Sequence, residues 1–84
     1  MAVSGNLAFL MNFEEKLQEF THSLATTKEY QNDVALQRVV EILKATKTER
    51  ELKKNVSLIN RISIDSVENW DTINKIGAFL KPYS

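Results

Sequence analysis

Cysteine is absent from this chain, proline occurs once and glycine twice. Without cysteine there is no disulfide and no thiolate metal site to staple the fold, so stability must come from a packed core. The absence is also compatible with a reducing compartment, and the expected location is intracellular, cytoplasmic or nuclear. The glycines, Gly5 and Gly77, and the one proline, Pro82, stand close to the ends. Every turn between Asn6 and Ile76 must therefore be made by Ser, Thr, Asn or Asp. Strands closed by tight hairpins want glycine at positive φ, often as Asn-Gly or Asp-Gly. Helices joined by short polar corners need neither. The fold class predicted is all-α.

Net charge is also missing, with eleven basic and eleven acidic side chains. This balance does not indicate a strongly cationic nucleic-acid binder. It leaves little repulsion against self-association, so a homodimer stays open. No apolar run approaches the ~20 residues that cross a bilayer, and no membrane partner is expected. Met1–Met11 is moderately apolar but has no basic leader or cleavage site, so it does not read as a secretory signal. The chain of 84 residues makes one domain, 1–84, with 1–6 expected to be disordered or vector-derived.

Residues with catalytic or ligating chemistry are few. His22 is the sole histidine. Glu19 and His22 fall on one helical face, but a carboxylate-bridged metal site needs a second such pair. A nucleophile needs a base and an orienting group, and His22 has no such context. Glu14 and Glu15 read as first-turn charges of a helix. There is no glycine-rich phosphate loop. The expectation is no catalytic residue, no metal, no cofactor and no enzymatic activity.

What the chain does have is helical spacing, in four blocks. The first is Leu10, Phe13, Leu17, Phe20 and Leu24, with Asn12 and Glu15 placed as cap and third residue; an earlier start near Asn6 would take in Leu7 and Met11. The second is Leu36, Val39, Val40 and Leu43, capped by Asn32 or Asp33, or earlier by Thr27. The third is Leu52, Val56, Ile59 and Ile62, opened by Thr48 with Glu51 or by Thr46 with Glu49. The fourth is Val67, Trp70, Ile73, Ile76 and Leu80, capped by Asp65 or Ser66 and ended by Pro82. Trp70 is thereby predicted to anchor the core, and Gly77 to let another helix approach, within the bundle or across a dimer interface. Short connections imply antiparallel neighbours, so the architecture expected is a small four-helix antiparallel bundle, with room for a fifth short helix.

Candidate binding residues come from charge and from aromatics. Lys44, Lys47, Arg50, Lys53, Lys54 and Arg61 set six cations against Glu49 and Glu51. Lys47, Arg50, Lys54 and Arg61 would line one side of the third helix if it starts early enough. The strip reads as a solvated face, as a docking site for an acidic partner, or as a nucleic-acid contact, although exposed aromatics for base stacking are not interleaved with it. Phe9, Phe79 and Tyr83 lie off or beside the apolar stripes and would form a partner-binding patch if exposed together.

The positions Leu24, Leu36, Val40, Leu43, Thr48, Leu52, Ile59, Ile62 and the closing Ile73, Ile76 and Leu80 resemble one family. It comprises the helical domain at the N-terminus of transcription elongation factor TFIIS and the integrase-binding domain of lens-epithelium-derived growth factor. The chain departs from it in a shorter Asn55–Ile73 stretch, in lacking an Ile-Gly pair in the third segment, and in placing Trp70 early in the last helix. The resemblance implies a scaffold that captures short acidic-hydrophobic motifs of transcription partners. The function expected is non-enzymatic protein–protein interaction, adaptor or regulatory. The alternatives are a small nucleic-acid-associated protein using the 44–61 strip and a homo-oligomeric structural bundle.

Overall fold

The structure, a computed structural model, describes residues 12–84. Four α-helices follow one another, with no strand among the described residues: α1, Phe13–Ala25; α2, Val34–Ala45; α3, Glu49–Ser66; and α4, Trp70–Leu80. A 3₁₀ turn at Lys28–Gln31 separates α1 from α2, and a second, Lys81–Tyr83, closes the chain around Pro82. The fold is the expected small all-α bundle. The proposed Leu7, Leu10 and Met11 extension of the first helix, and Phe9, lie outside the described residues.

Local chemistry sets the helix starts. Asn12 accepts the Glu15 N–H at 2.9 Å, and Asp33 accepts the Leu36 N–H at 3.0 Å. Thr48 forms a reciprocal capping box: its hydroxyl accepts the Glu51 N–H at 3.1 Å, and the Glu51 carboxylate accepts the Thr48 N–H at 3.0 Å. Glu51 also accepts the Lys47 N–H at 2.7 Å. These backbone donors, Lys47 first and Thr48 next, hold the Glu51 carboxyl below its usual pKa. The Glu15, Leu36 and Glu51 N–H groups are donors that a first helical turn leaves without a partner, and the Lys47 and Thr48 N–H groups are satisfied just ahead of the helix.

The stripes meet in one core of Leu17, Leu24, Leu36, Val39, Val40, Leu43, Leu52, Val56, Ile59, Val67, Ile76 and Leu80. The helix α3 is central, packed against α2 on one side and α4 on the other, while α1 packs on α2. An aromatic seam ties α1 to the chain end. Phe20 stacks on Phe79 with ring centroids 4.1 Å apart, and Tyr83 meets Phe13 edge-on at 5.6 Å.

The fourth segment differs from its sequence reading. Neither Asp65 nor Ser66 caps α4, because α3 runs through both. After an extended link, Asn69 caps α4 by accepting the Asp71 and Thr72 N–H groups. The break resets the helical register. At ~100° per residue, Trp70 sits ~120° around α4 from Ile76 and points out, 66% exposed. Thr72 takes the core-facing place instead. Gly77 likewise does not seat a neighbour within the bundle: a Cβ added there meets nothing within 4 Å.

Two polar side chains, Asp33 buried and Glu29 half-buried, join the loops at one end of the bundle. Asp33 caps α2 with one carboxylate oxygen and accepts the Glu68 N–H with the other, at 3.2 Å. Glu29, in the 3₁₀ turn, accepts the Asn69 amide at 2.9 Å and the Thr72 hydroxyl. The α1–α2 and α3–α4 connections are thus bonded to each other across a long sequence separation.

One core group stands alone. The Ser63 hydroxyl, on the buried face of α3, is the one buried side-chain polar atom among the described residues with no hydrogen-bond partner. An unpaired buried hydroxyl carries its full desolvation cost. Ser63→Ala is expected to raise stability by about 1 kcal/mol, read as a higher urea midpoint at unchanged slope.

Candidate functional site

A groove runs along the outer side of the α1–α2 hairpin, with a volume of about 420 Å³. Its floor is Leu17, Thr21 and Ala25 from α1, with Leu43 and Thr46 from the end of α2. The polar members of the floor are already satisfied internally. Thr21 donates its hydroxyl to the Leu17 carbonyl at 2.7 Å, and Thr46 donates to the Ile42 carbonyl at 2.8 Å. Their methyl groups and hydrocarbon neighbours are what a ligand would meet. The floor therefore behaves as apolar surface, despite two threonines.

The rim is polar. Glu14, Gln18 and His22 rise from α1, and Lys44 and Lys47 from the α2 end and the corner after it. Glu14, Gln18, His22, Lys44 and Lys47 are all exposed. Two ammonium groups thus face one carboxylate across the groove mouth. Long lysine side chains can lay their hydrocarbon stems along apolar surface while the charge stays in water. This arrangement suits a ligand with apolar side chains pointing in and acidic groups at its edges.

The structure divides the predicted cation strip. Thr48 is the cap of α3, so Lys47 precedes the helix and joins Lys44 at the groove instead of extending a row on α3. Arg50, Lys54 and Arg61 remain together on α3, within ~40° of one another and opposite its Leu52–Val56–Ile59 face. Lys53 stands off that row. Lys53, Arg50, Lys54 and Arg61 are exposed.

The aromatic patch also changes. Phe79 and Tyr83 are half-buried in the seam with Phe20 and Phe13, so the joint exposure that the patch required is not met. Phe9 lies outside the described residues. Glu19 and His22 are exposed on α1, and among the described residues no group of three His, Asp or Glu side chains is placed to hold a metal. No helix of the described residues is long and apolar enough to cross a membrane.

Leu17 and Leu43 were legible as core residues, and Lys44 and Lys47 as cations. The groove they form together was not, because it joins positions from Glu14 to Lys47 through the hairpin. Gln18 and Thr21 carried no sequence signal as lining residues. No family model, curated protein or solved structure matches this chain.

Proposed function

We propose that this domain is a non-enzymatic interaction module that captures a short amphipathic segment of another protein, apolar on one face and acidic at its edges, in the α1–α2 groove. The observation that carries the reading is a self-satisfied apolar floor beside Lys44 and Lys47. Helix-in-groove recognition uses this division, with apolar anchors for affinity and rim charges for orientation and on-rate. The resemblance to the TFIIS N-terminal domain extends the proposal to partners in transcription.

The test is a fluorescence-anisotropy titration with a synthetic peptide carrying leucines at helical spacing and aspartates between them. Saturable binding is expected. The double variant Lys44→Glu/Lys47→Glu is expected to weaken it by about tenfold or more, a change of ~1.4 kcal/mol. Arg50→Glu/Arg61→Glu is expected to change it less than about twofold, since that row lies on α3, away from the groove. A labelled single-stranded oligonucleotide is the contrast. Binding to it that falls steeply with salt and depends on Arg50, Lys54 and Arg61 would replace the proposal with the nucleic-acid reading.

A further inference from the structure

A second groove lies between α3 and α4, away from the hairpin, and is lined by Asn60, Ile64, Trp70, Ile73, Gly77 and Lys81 among others. It holds the most exposed aromatic side chain of the described residues. Trp70 is 66% and Ile64 65% exposed. Leaving an indole and a branched aliphatic in water forgoes burial that each would favour.

The order of residues along α4 says what could cover them. Trp70, Asn74, Gly77 and Lys81 step 4-3-4 and fall on one outward row, as the a and d positions of a coiled coil do. When two copies of such a row pack antiparallel about a two-fold axis, each residue meets the one equally far from the centre. With the axis between Asn74 and Gly77, Trp70 of one copy meets Lys81 of the other, and Asn74 meets Gly77. Both pairings are complementary. Lysine over an indole face combines a cation–π contact with packing of its hydrocarbon stem. Gly77, which has open space where a Cβ would stand, lets the backbones approach at the axis.

Charge points the same way. Asp71, exposed and next to Trp70 on α4, puts a carboxylate at one end of the row, and Lys81 puts an ammonium group at the other. Antiparallel pairing brings the acidic end of each copy to the Lys81 end of the other and opposes the two α4 dipoles favourably. The chain as a whole has no net charge to resist the approach.

We propose that this α3–α4 face is a self-association surface, and that its occupant is a second copy of the chain paired antiparallel along α4. A seam on an eleven-residue helix is smaller than the ~800 Å² per partner of a standard interface, so the dimer is expected to be weak and to form only at high protein concentration. The α1–α2 groove stays open in it, and the proposal does not depend on the function assigned to that groove.

Trp70 is the sole tryptophan, so its fluorescence reports this surface alone. The test is sedimentation equilibrium with parallel Trp emission spectra, from about 10 μM to about 1 mM. The wild-type chain is expected to show a rising average mass and a blue shift of the emission. Trp70→Glu places an acidic residue at a helix N-terminus and is expected to stay monomeric with an unchanged circular-dichroism spectrum. Gly77→Gln extends into open space in the monomer and blocks the approach at the axis, so it is expected to weaken association at least about tenfold while keeping the indole. A wild-type monomer at the highest concentration, or a dimer that survives both substitutions, would overturn the proposal.

Discussion

Ile59→Ala is expected to lower the stability of the domain by about 2–5 kcal/mol, more than any other change considered for this chain. Ile59 is fully buried on the inner face of α3, the helix that contacts both α2 and α4. Truncation removes three carbons from a site walled on several sides, and a rigid surround relaxes only partly into the space. The loss combines the transfer free energy of the missing carbons with the cavity they leave. A domain of this length has a total stability of roughly 4–12 kcal/mol. The variant is therefore expected to melt about 10–30 °C lower, or to be partly unfolded at 37 °C. Leu58, the preceding residue, is exposed, and Leu58→Ala serves as the control with an expected change within ~0.5 kcal/mol. Equal effects of the two substitutions in urea melts would mean that α3 does not present the Leu52–Val56–Ile59 face to the core.

The second large effect is expected at Asp33. Its two carboxylate oxygens serve different parts of the molecule, one as the cap of α2 and one as acceptor for the Glu68 N–H. Asp33→Ala removes both. Loss of the cap costs about 1 kcal/mol, and loss of the bond from the Glu68 N–H adds about 0.5–1.5 kcal/mol, for a total near ~2 kcal/mol. Asp33→Asn retains one oxygen, which can still cap α2, and is expected to cost about half as much. Native-state hydrogen exchange adds a local readout. In Asp33→Asn, the Glu68 amide should lose protection while the amide of Leu36 keeps it. Equal costs for the two variants, or an unchanged Glu68 exchange rate, would show that the carboxylate does not bridge the two loops.

Local rules made most of the fold legible. The caps at Asn12, Asp33 and Thr48 bond groups within three residues, so sequence spacing narrows each to a few candidates, and the structure selects Asp33 over Asn32 and Thr27 and Thr48 over Thr46. The stripes Leu36–Val39–Val40–Leu43 and Leu52–Val56–Ile59 read directly as buried faces for the same reason. Failure came where a short-range pattern ran through a break. Val67, Trp70 and Ile73 step by three as a continuous helix would, but the extended link before Asn69 rotates the new helix so that Thr72, not Trp70, faces the core. The compensating signal was nonlocal. A threonine is accepted there because Glu29, far away in sequence, receives its hydroxyl.

The candidate site was legible in its parts only. Lys44 and Lys47 were visible as cations, but their separation from Arg50, Lys54 and Arg61 depends on Thr48 and not Thr46 being the cap of α3. The neighbours Glu14, Gln18 and His22 reach them only after the hairpin folds. Phe79 and Tyr83 were read as part of a patch only if exposed together, and that depended on Phe13 and Phe20, which pack against them from α1. Proximity through tertiary packing leaves no trace in the spacing of a single sequence.

The most direct measurement is a two-dimensional amide NMR titration of the domain with the leucine–aspartate peptide, following each backbone signal by residue. Capture in the hairpin groove predicts that the largest shifts fall on Leu17, Thr21, Leu43, Lys44 and Thr46, while Arg50, Lys54 and Arg61 stay near their starting positions. Shifts concentrated on the outer row of α3, or spectra that do not change up to millimolar peptide, would contradict it.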